Sequence, residues 1–240
     1  MSIPRIIHQA WKNDDVPSQL AAFQSAWQRL NPGWNYQFWT DETSRMFIAE
    51  HYDWFLPVYD NYDVPIKKAD VVRYALMYHF GGIYADLDLE PVQPLDWFLD
   101  NTGNPELIIA QEPLKHCRMH NRGTILSNAF LASVPGHPVW RDVLTFLVER
   151  AGCPDPLTAT GPFLLTDYYR SSKIFRSAVH LLDPVAVNPF NKFEMWSAFE
   201  IGVMDVLRKR VPPQSLAIHH WMGSWWRDPD QVEQFINSLN

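Results

Sequence analysis

The chain has 240 residues and a formal net charge of −7, a balance that argues against a nucleic-acid partner. Its length suits a single α/β domain over residues 1–240, with no Gly/Ser/Pro-rich linker to divide it. Two cysteines, Cys117 and Cys153, are too few for a disulfide framework and read as free thiols in a reducing compartment.

No run approaches the roughly 20 apolar residues that span a bilayer. Met1-Ser2-Ile3-Pro4-Arg5 lacks the basic-then-apolar pattern of a leader, so a cytoplasmic enzyme is the simplest expectation, with peripheral membrane contact left open. Eleven tryptophans and fourteen phenylalanines exceed what the core needs. Some are expected to line a cleft, where aromatic faces stack on sugars and nucleobases.

Arg5 to Trp11 reads as a first strand, β-branched in its centre, with His8 and Gln9 polar at its carboxyl end. Ser18 to Leu30 is an amphipathic helix carrying Leu20, Phe23, Trp27 and Leu30 on one face, stopped by Asn31-Pro32-Gly33. Trp34 to Trp39 follows as a strand. Asp41 then caps a helix with Met46, Phe47 and Ile48. This βαβα opening is typical of nucleotide-binding α/β halves.

The run from Lys67 to Asp88 organises the rest. Ala69, Val72, Leu76 and Phe80 recur at helical spacing, which leaves Asp70, Arg73 and Tyr74 beside or opposite the apolar face, presented rather than packed. Gly81-Gly82 ends the helix, and Ile83-Tyr84-Ala85 is a short buried strand. Asp86 and Asp88 then stand where the strand leaves the sheet, the edge at which open α/β sheets bind ligands. On an extended chain both point to one side, and two converging carboxylates suit Mn²⁺ or Mg²⁺.

Asp70, Arg73, Gly81, Gly82, Tyr84, Asp86 and Asp88, in this order, resemble the donor-binding core of the DXD sugar transferases. The nearest likeness is to glycosyltransferase family 32, similar to the initiating mannosyltransferases of the Golgi and, distantly, to the glucosylating domains of bacterial toxins. The resemblance implies a GT-A type fold, a Rossmann-like mixed sheet flanked by helices. It implies metal-dependent transfer of a hexose, with retention, from a nucleotide-sugar to a glycan, glycolipid or other hydroxyl acceptor, as in polysaccharide biosynthesis. A UDP-sugar is the favoured donor and GDP-mannose stays open. It further implies that His8, Gln9 and Trp11 hold the nucleotide, and that Asp70, Arg73 and Tyr74 face the donor sugar.

Leu107 to Ala110 is a strand ending in Gln111-Glu112, and Lys115 to Gly123 is a basic, irregular lip containing His116 and His120. Ser127 to Ala132, followed by Pro135-Gly136-His137-Pro138, resembles the family's Asn-then-His-Pro segment, with Asn128 placed for a sugar hydroxyl. Thr158-Ala159-Thr160-Gly161-Pro162 resembles its Thr-Gly-Pro helix start, where Thr160 and Gly161 would offer free N–H groups on the acceptor side. Asn188 to Trp196 reads as an aromatic loop.

The last strand, Leu216 to His219, runs into His220-Trp221-Met222-Gly223-Ser224-Trp225, which resembles the family's His-x-x-Gly-Ser-Trp. On that pattern His220 completes the metal shell of Asp86 and Asp88, and Ser224 and Trp225 donate to the diphosphate. No carboxylate stands out as a covalent nucleophile, so a same-face displacement is the expected chemistry. Two readings compete. An aspartyl phosphatase also places Asp-x-Asp after an apolar strand, but without the upstream helix and Gly-Gly. A non-catalytic carbohydrate-binding relative would need neither Asp70 with Arg73 nor a third metal ligand.

Overall fold

The computed structural model describes residues 2–224 and 227–239. The chain opens with β1 (Ile6–Ala10), α1 (Ser18–Leu30), β2 (Asn35–Trp39), α2 (Asp41–His51) and a short α3 (Leu56–Asp60). The long α4 (Pro65–His79) leads into β3 (Gly82–Ala85) and β4 (Leu89–Pro91). Next come α5 (Leu95–Thr102), β5 (Leu107–Gln111), α6 (Leu114–Met119), β6 (Leu126–Ser133) and α7 (Pro138–Arg150). The chain continues through α8 (Pro156–Ala159), α9 (Pro162–Ser171), α10 (Lys173–Ala178) and β7 (His180–Leu182). It finishes with α11 (Lys192–Glu200), α12 (Met204–Arg208), β8 (Ala217–His219) and α13 (Pro229–Asn237).

Six strands form one sheet in the order β2-β1-β3-β6-β5-β7. Every neighbouring pair is parallel except the two that involve β6, which runs against β3 and β5. This is the mixed, Rossmann-like sheet expected from the sequence. Because β6 is reversed, its amino end lies beside the carboxyl ends of β3 and β5. Gln9, Asp86, Gln111 and Asn128 therefore gather at one edge.

Both faces are covered, and the strands alternate between them with period two. Ile83, Ile108, Ala110, Phe130 and Ala132 enter one apolar cluster, while Tyr84, Leu107, Ile109 and Leu131 enter another with α4 and α7. A third cluster joins α1 to α11, α13 and β8.

A separate antiparallel pair, β4 with β8, matches Leu89 with His219 and Glu90 with Ile218. Trp27 anchors it, donating its indole N–H to the Leu89 carbonyl at 2.9 Å. This ladder carries the carboxyl-terminal histidines to the Asp-x-Asp turn.

Three local expectations are corrected. Thr40, not Asp41, caps α2, since Thr40 and Thr43 each accept a hydrogen bond from the other's backbone N–H. The basic lip is not irregular throughout, for Leu114–Met119 is helical behind Pro113. The aromatic stretch after Asn188 contains α11, started by a capping box between Asn191 and Glu194.

The largest correction concerns α4. It packs against α2, α7, α8, β3 and β6. Asp70, Arg73 and Tyr74 are consequently buried rather than presented.

Gly81 and Gly82 are required by geometry. Both have positive φ, +63° and +87°. A Cβ on Gly81 would lie 2.6 Å from Ser133 O and Pro135 N, and one on Gly82 would lie 2.6 Å from Ile6 O. Gly82→Ala combines strained φ with overlap against backbone that cannot retreat without breaking the β1–β3 pairing. It is expected to cost at least about 2 kcal/mol, read as a lower urea midpoint at unchanged m. Wild-type stability in that variant would contradict the packing.

Candidate functional site

Asp86 follows β3 and opens a turn. Its N–H donates to Ala129 O at 2.8 Å, and Leu89 N–H closes back on Asp86 O at 3.0 Å. The two aspartates therefore converge because the chain turns between them, not because it stays extended. Asp88 accepts a hydrogen bond on Oδ2 from Met222 N–H at 2.9 Å, which pins the carboxyl-terminal loop to the turn.

His219 supplies the third group. Its Nε2 lies 3.5 Å from Asp88 Oδ1, and ligand atoms of Asp86, Asp88 and His219 all fall within 4.8 Å of one another. His220, expected in this position, faces away: its Nε2 is 2.8 Å from Glu90 Oε2 and its ring stacks on Phe23. The reason is strand alternation, since neighbouring residues at the end of β8 present opposite sides. The backbone nevertheless ties the two segments together, with His220 N–H donating to Asp88 O at 3.0 Å.

The electrostatics of the three suit a cation. Burial pushes both aspartates above the ordinary carboxylate range; Arg73 counters this for Asp86, and mainly the Met222 N–H does so for Asp88. Burial also lowers His219 to about 4, against the pull of the Asp86 and Glu112 charges. A neutral imidazole and two carboxylates this close form a donor set that could hold a divalent cation.

Behind this turn lies a buried polar network. Arg73 reaches Asp70 Oδ1 at 3.3 Å and Asp86 Oδ1 at 3.2 Å, and donates to Asn128 O at 2.8 Å. Its guanidinium sits over the Tyr84 ring, whose hydroxyl donates to Asp86 Oδ1 at 3.1 Å. Asp70 accepts from Asn128 Nδ2 at 2.9 Å and from the Thr160 hydroxyl at 2.8 Å. Burial dominates its chemistry, raising Asp70 to about 6 although Arg73 and these donors pull the other way. Solvent reaches the cluster through Asp86, whose side chain is 27% exposed, and less through Asp88 at 13%.

The structure brings Asn128 and Thr160 to Asp70, but not as open ligands. Asn128 Nδ2 is shared between Asp70 and the Tyr74 hydroxyl, which itself donates to Thr160 O. The N–H groups of Thr160 and Gly161, expected to be free, both donate to Pro156 O, because the end of α8 lies against the start of α9.

His8 is likewise committed. Its Nε2 donates to Gly81 O and its Nδ1 accepts from Trp39 Nε1, so burial holds it neutral, lowered to about 4. Gln9 braces the strand end, donating to Ala85 O and Asp86 O and accepting from the Tyr36 hydroxyl. Trp11 packs beside the third cluster, its indole N–H buried without a partner among the described residues. Ser224 is exposed on a turn after Gly223, and Trp225 lies outside the described residues.

Grooves of about 480 and 300 Å³ lie elsewhere, along α11, α12 and the β4–β8 ladder, where none of the network's side chains line them. The acidic turn is the chemically equipped place despite its tighter packing.

Comparison with known proteins agrees with this geometry. Residues 17–112 match the model of the glycosyltransferase sugar-binding region containing the DXD motif. Inositol phosphoceramide mannosyltransferase 3 of Schizosaccharomyces pombe is 39% identical over 237 residues, covering 95% of this chain and 57% of the relative. A mannosyl phosphorylinositol ceramide synthase of Saccharomyces cerevisiae is 36% identical over 87% of this chain and 57% of its own length. The chain spans between 39% and 57% of the first three such relatives. Among solved structures, the UDP-bound glycosyltransferase domain of the YGT toxin superposes with TM-score 0.52 at 9% identity, over 100% of this chain and 94% of that one. That likeness shows the GT-A fold. With the DXD turn and the mixed sheet beside these matches, residues 17–112 are identified as a glycosyltransferase sugar-binding region containing the DXD motif.

Proposed function

We propose that this chain transfers a hexose from a nucleoside-diphosphate sugar to a hydroxyl of a glycan or glycolipid, with a divalent ion at Asp86, Asp88 and His219. The observation that carries this reading is the convergence of those three side chains at the carboxyl end of β3. Mannose is the hexose that the relatives' names favour, so GDP-mannose is tested beside the UDP-sugars preferred on sequence grounds.

The reaction asks a diphosphate to leave an anomeric carbon. When bound, the ion supplies positive charge to the departing oxygens. Asp86 and Asp88 would hold that charge at the most exposed part of the network among the described residues. Arg73 holds Asp86 in place from behind, in a low-dielectric setting that strengthens the contact. Asp70, through Asn128 and Thr160, ties α4 to β6 and to the start of α9, the side assigned to the acceptor. The departing phosphate takes the acceptor's proton in a same-face displacement with retention, since the buried Asp70 is tied to three partners and stands away from solvent.

The test is a donor screen for slow hydrolysis of UDP- and GDP-sugars with Mn²⁺, which needs no acceptor. Metal-dependent release of nucleoside diphosphate from one donor is expected. Phosphate release from a generic ester with no nucleotide requirement would favour the phosphatase reading instead. Sugar binding without nucleotide or metal would favour a carbohydrate-binding role.

A further inference from the structure

Asn188 lies in the segment between β7 and α11, far in sequence from the acidic turn. Its amide is buried and bonded at both ends: Nδ2 donates to Gln111 O at 2.9 Å, and Oδ1 is 2.9 Å from His219 Nδ1. The Gln111 carbonyl can only accept, so it fixes which end of the amide is the donor. Oδ1 must then face His219, and an oxygen there requires a proton on Nδ1. The remaining nitrogen, Nε2, is the one 3.5 Å from Asp88 Oδ1.

In the neutral ring Nε2 has no proton, and its lone pair faces a carboxylate oxygen. Nε2, left free by the Asn188 contact on Nδ1, is thus the nitrogen turned toward Asp86 and Asp88. The ring plane is also fixed, because Trp221 stacks on it at 3.9 Å and 22°. Trp221 is held in turn by its indole bond to Phe190 O and by Trp196, which donates to Trp221 O.

We propose that Asn188 is a positioning residue for the metal site: it sets the tautomer of His219 so that the Nε2 lone pair points at the ion, and Gln111 sets Asn188. The proposal rests on the reading of Asp86, Asp88 and His219 as a metal site but not on sugar transfer. A carbonyl or carboxylate on the far nitrogen of a ligating histidine commonly fixes ring orientation and raises basicity, and its loss costs about 10–100-fold in metal affinity.

The test uses the full chain in two measurements. Nitrogen-15 NMR of histidine-labelled protein without metal, with His219 assigned by its loss in His219→Gln, is expected to show protonated Nδ1 and bare Nε2. Mn²⁺ binding, followed by the EPR signal of the free ion, is expected to weaken about 10–100-fold in Asn188→Leu. Asn188→Asp keeps the acceptor for Nδ1–H and is expected to stay within about fivefold of wild type. A merely structural role predicts the reverse ranking, since leucine fills the space while a buried carboxylate meets the Gln111 carbonyl.

The Nε2–H tautomer in wild type would overturn the proposal, as would absence of Mn²⁺ binding or unchanged affinity in Asn188→Leu. Should Asn188→Leu fail to fold, the wild-type tautomer and the Asn188→Asp affinity still decide. Correct tautomer and Mn²⁺ binding without turnover of any sugar nucleotide would remove the transferase reading and leave this one in place.

Discussion

Asp88→Asn is expected to lower metal-dependent hydrolysis of the preferred sugar nucleotide by about a thousandfold, with little change in fold. Removing a single preorganised group that stabilises developing negative charge typically costs about 10²–10³ in rate, and in the proposed site Asp88 would also help hold the ion. The substitution is mild structurally because the remaining amide oxygen still accepts the Met222 N–H that ties the carboxyl-terminal loop to the turn. Loss of the charge removes the repulsion that Asp88 adds to burial in raising Asp86. Thermal unfolding should therefore show Asp88→Asn as stable as wild type or slightly more so, while Mn²⁺ binding falls. Retained turnover would remove Asp88 from the site, and a large loss of stability would make the activity result uninformative about the metal.

Much of this site was legible in the sequence because its parts are contiguous. Asp70, Arg73, Gly81, Gly82, Asp86 and Asp88 fall within one helix, its stop and one strand, where spacing alone fixes relative position. Burial was misread. A helix with apolar residues on one face suggests that the opposite face meets solvent, but α4 is enclosed on several sides, and its charges are satisfied by β6, by Thr160 between α8 and α9, and by Asp86 instead.

The structure turns His219 rather than His220 toward the aspartates for a related reason. Which of two adjacent side chains faces the turn depends on the β4–β8 register, with Leu89 opposite His219, and two three-residue strands carry too little pattern to set it. Asn188 had no signal beyond a turn-forming Asn-Pro, since its partners, Gln111 and His219, come from other strands. The start of α11 was legible and missed: Asn191 followed three residues later by Glu194 is a capping-box pattern.

Arg73→Met carries the largest expected effect on stability. The side chain is 4% exposed, and its guanidinium stands between two carboxylates, 3.3 Å from Asp70 and 3.2 Å from Asp86, while also donating to Asn128 O. Methionine fills much of its volume, so the loss is electrostatic: Asp70 stays buried, and Asp86 half-buried, without their cation. Removing one partner of a buried pair costs about 3–5 kcal/mol, most of it the penalty of the charge left behind. Arg73→Met with Asp70→Asn should therefore be less destabilised than the sum of the single variants, with a coupling of at least about 1 kcal/mol in urea unfolding.

The pH dependence has a definite sign. Asp70 titrates at about 6 in the folded protein, above the 3.8 of an unperturbed aspartate, so the folded state binds this proton more readily than the unfolded chain. Its contribution to stability is greatest below the unfolded value and is lost as pH rises through about 6. Without Arg73 the carboxyl loses its largest favourable charge and moves further up. The deficit of Arg73→Met should accordingly be larger at pH 7.5 than at pH 5, whereas Arg73→Met with Asp70→Asn should lose most of that difference. A variant within about 1 kcal/mol of wild type at both pH values would mean that Asp70 and Asp86 do not depend on Arg73. The network behind the acidic turn would then need another source of charge balance.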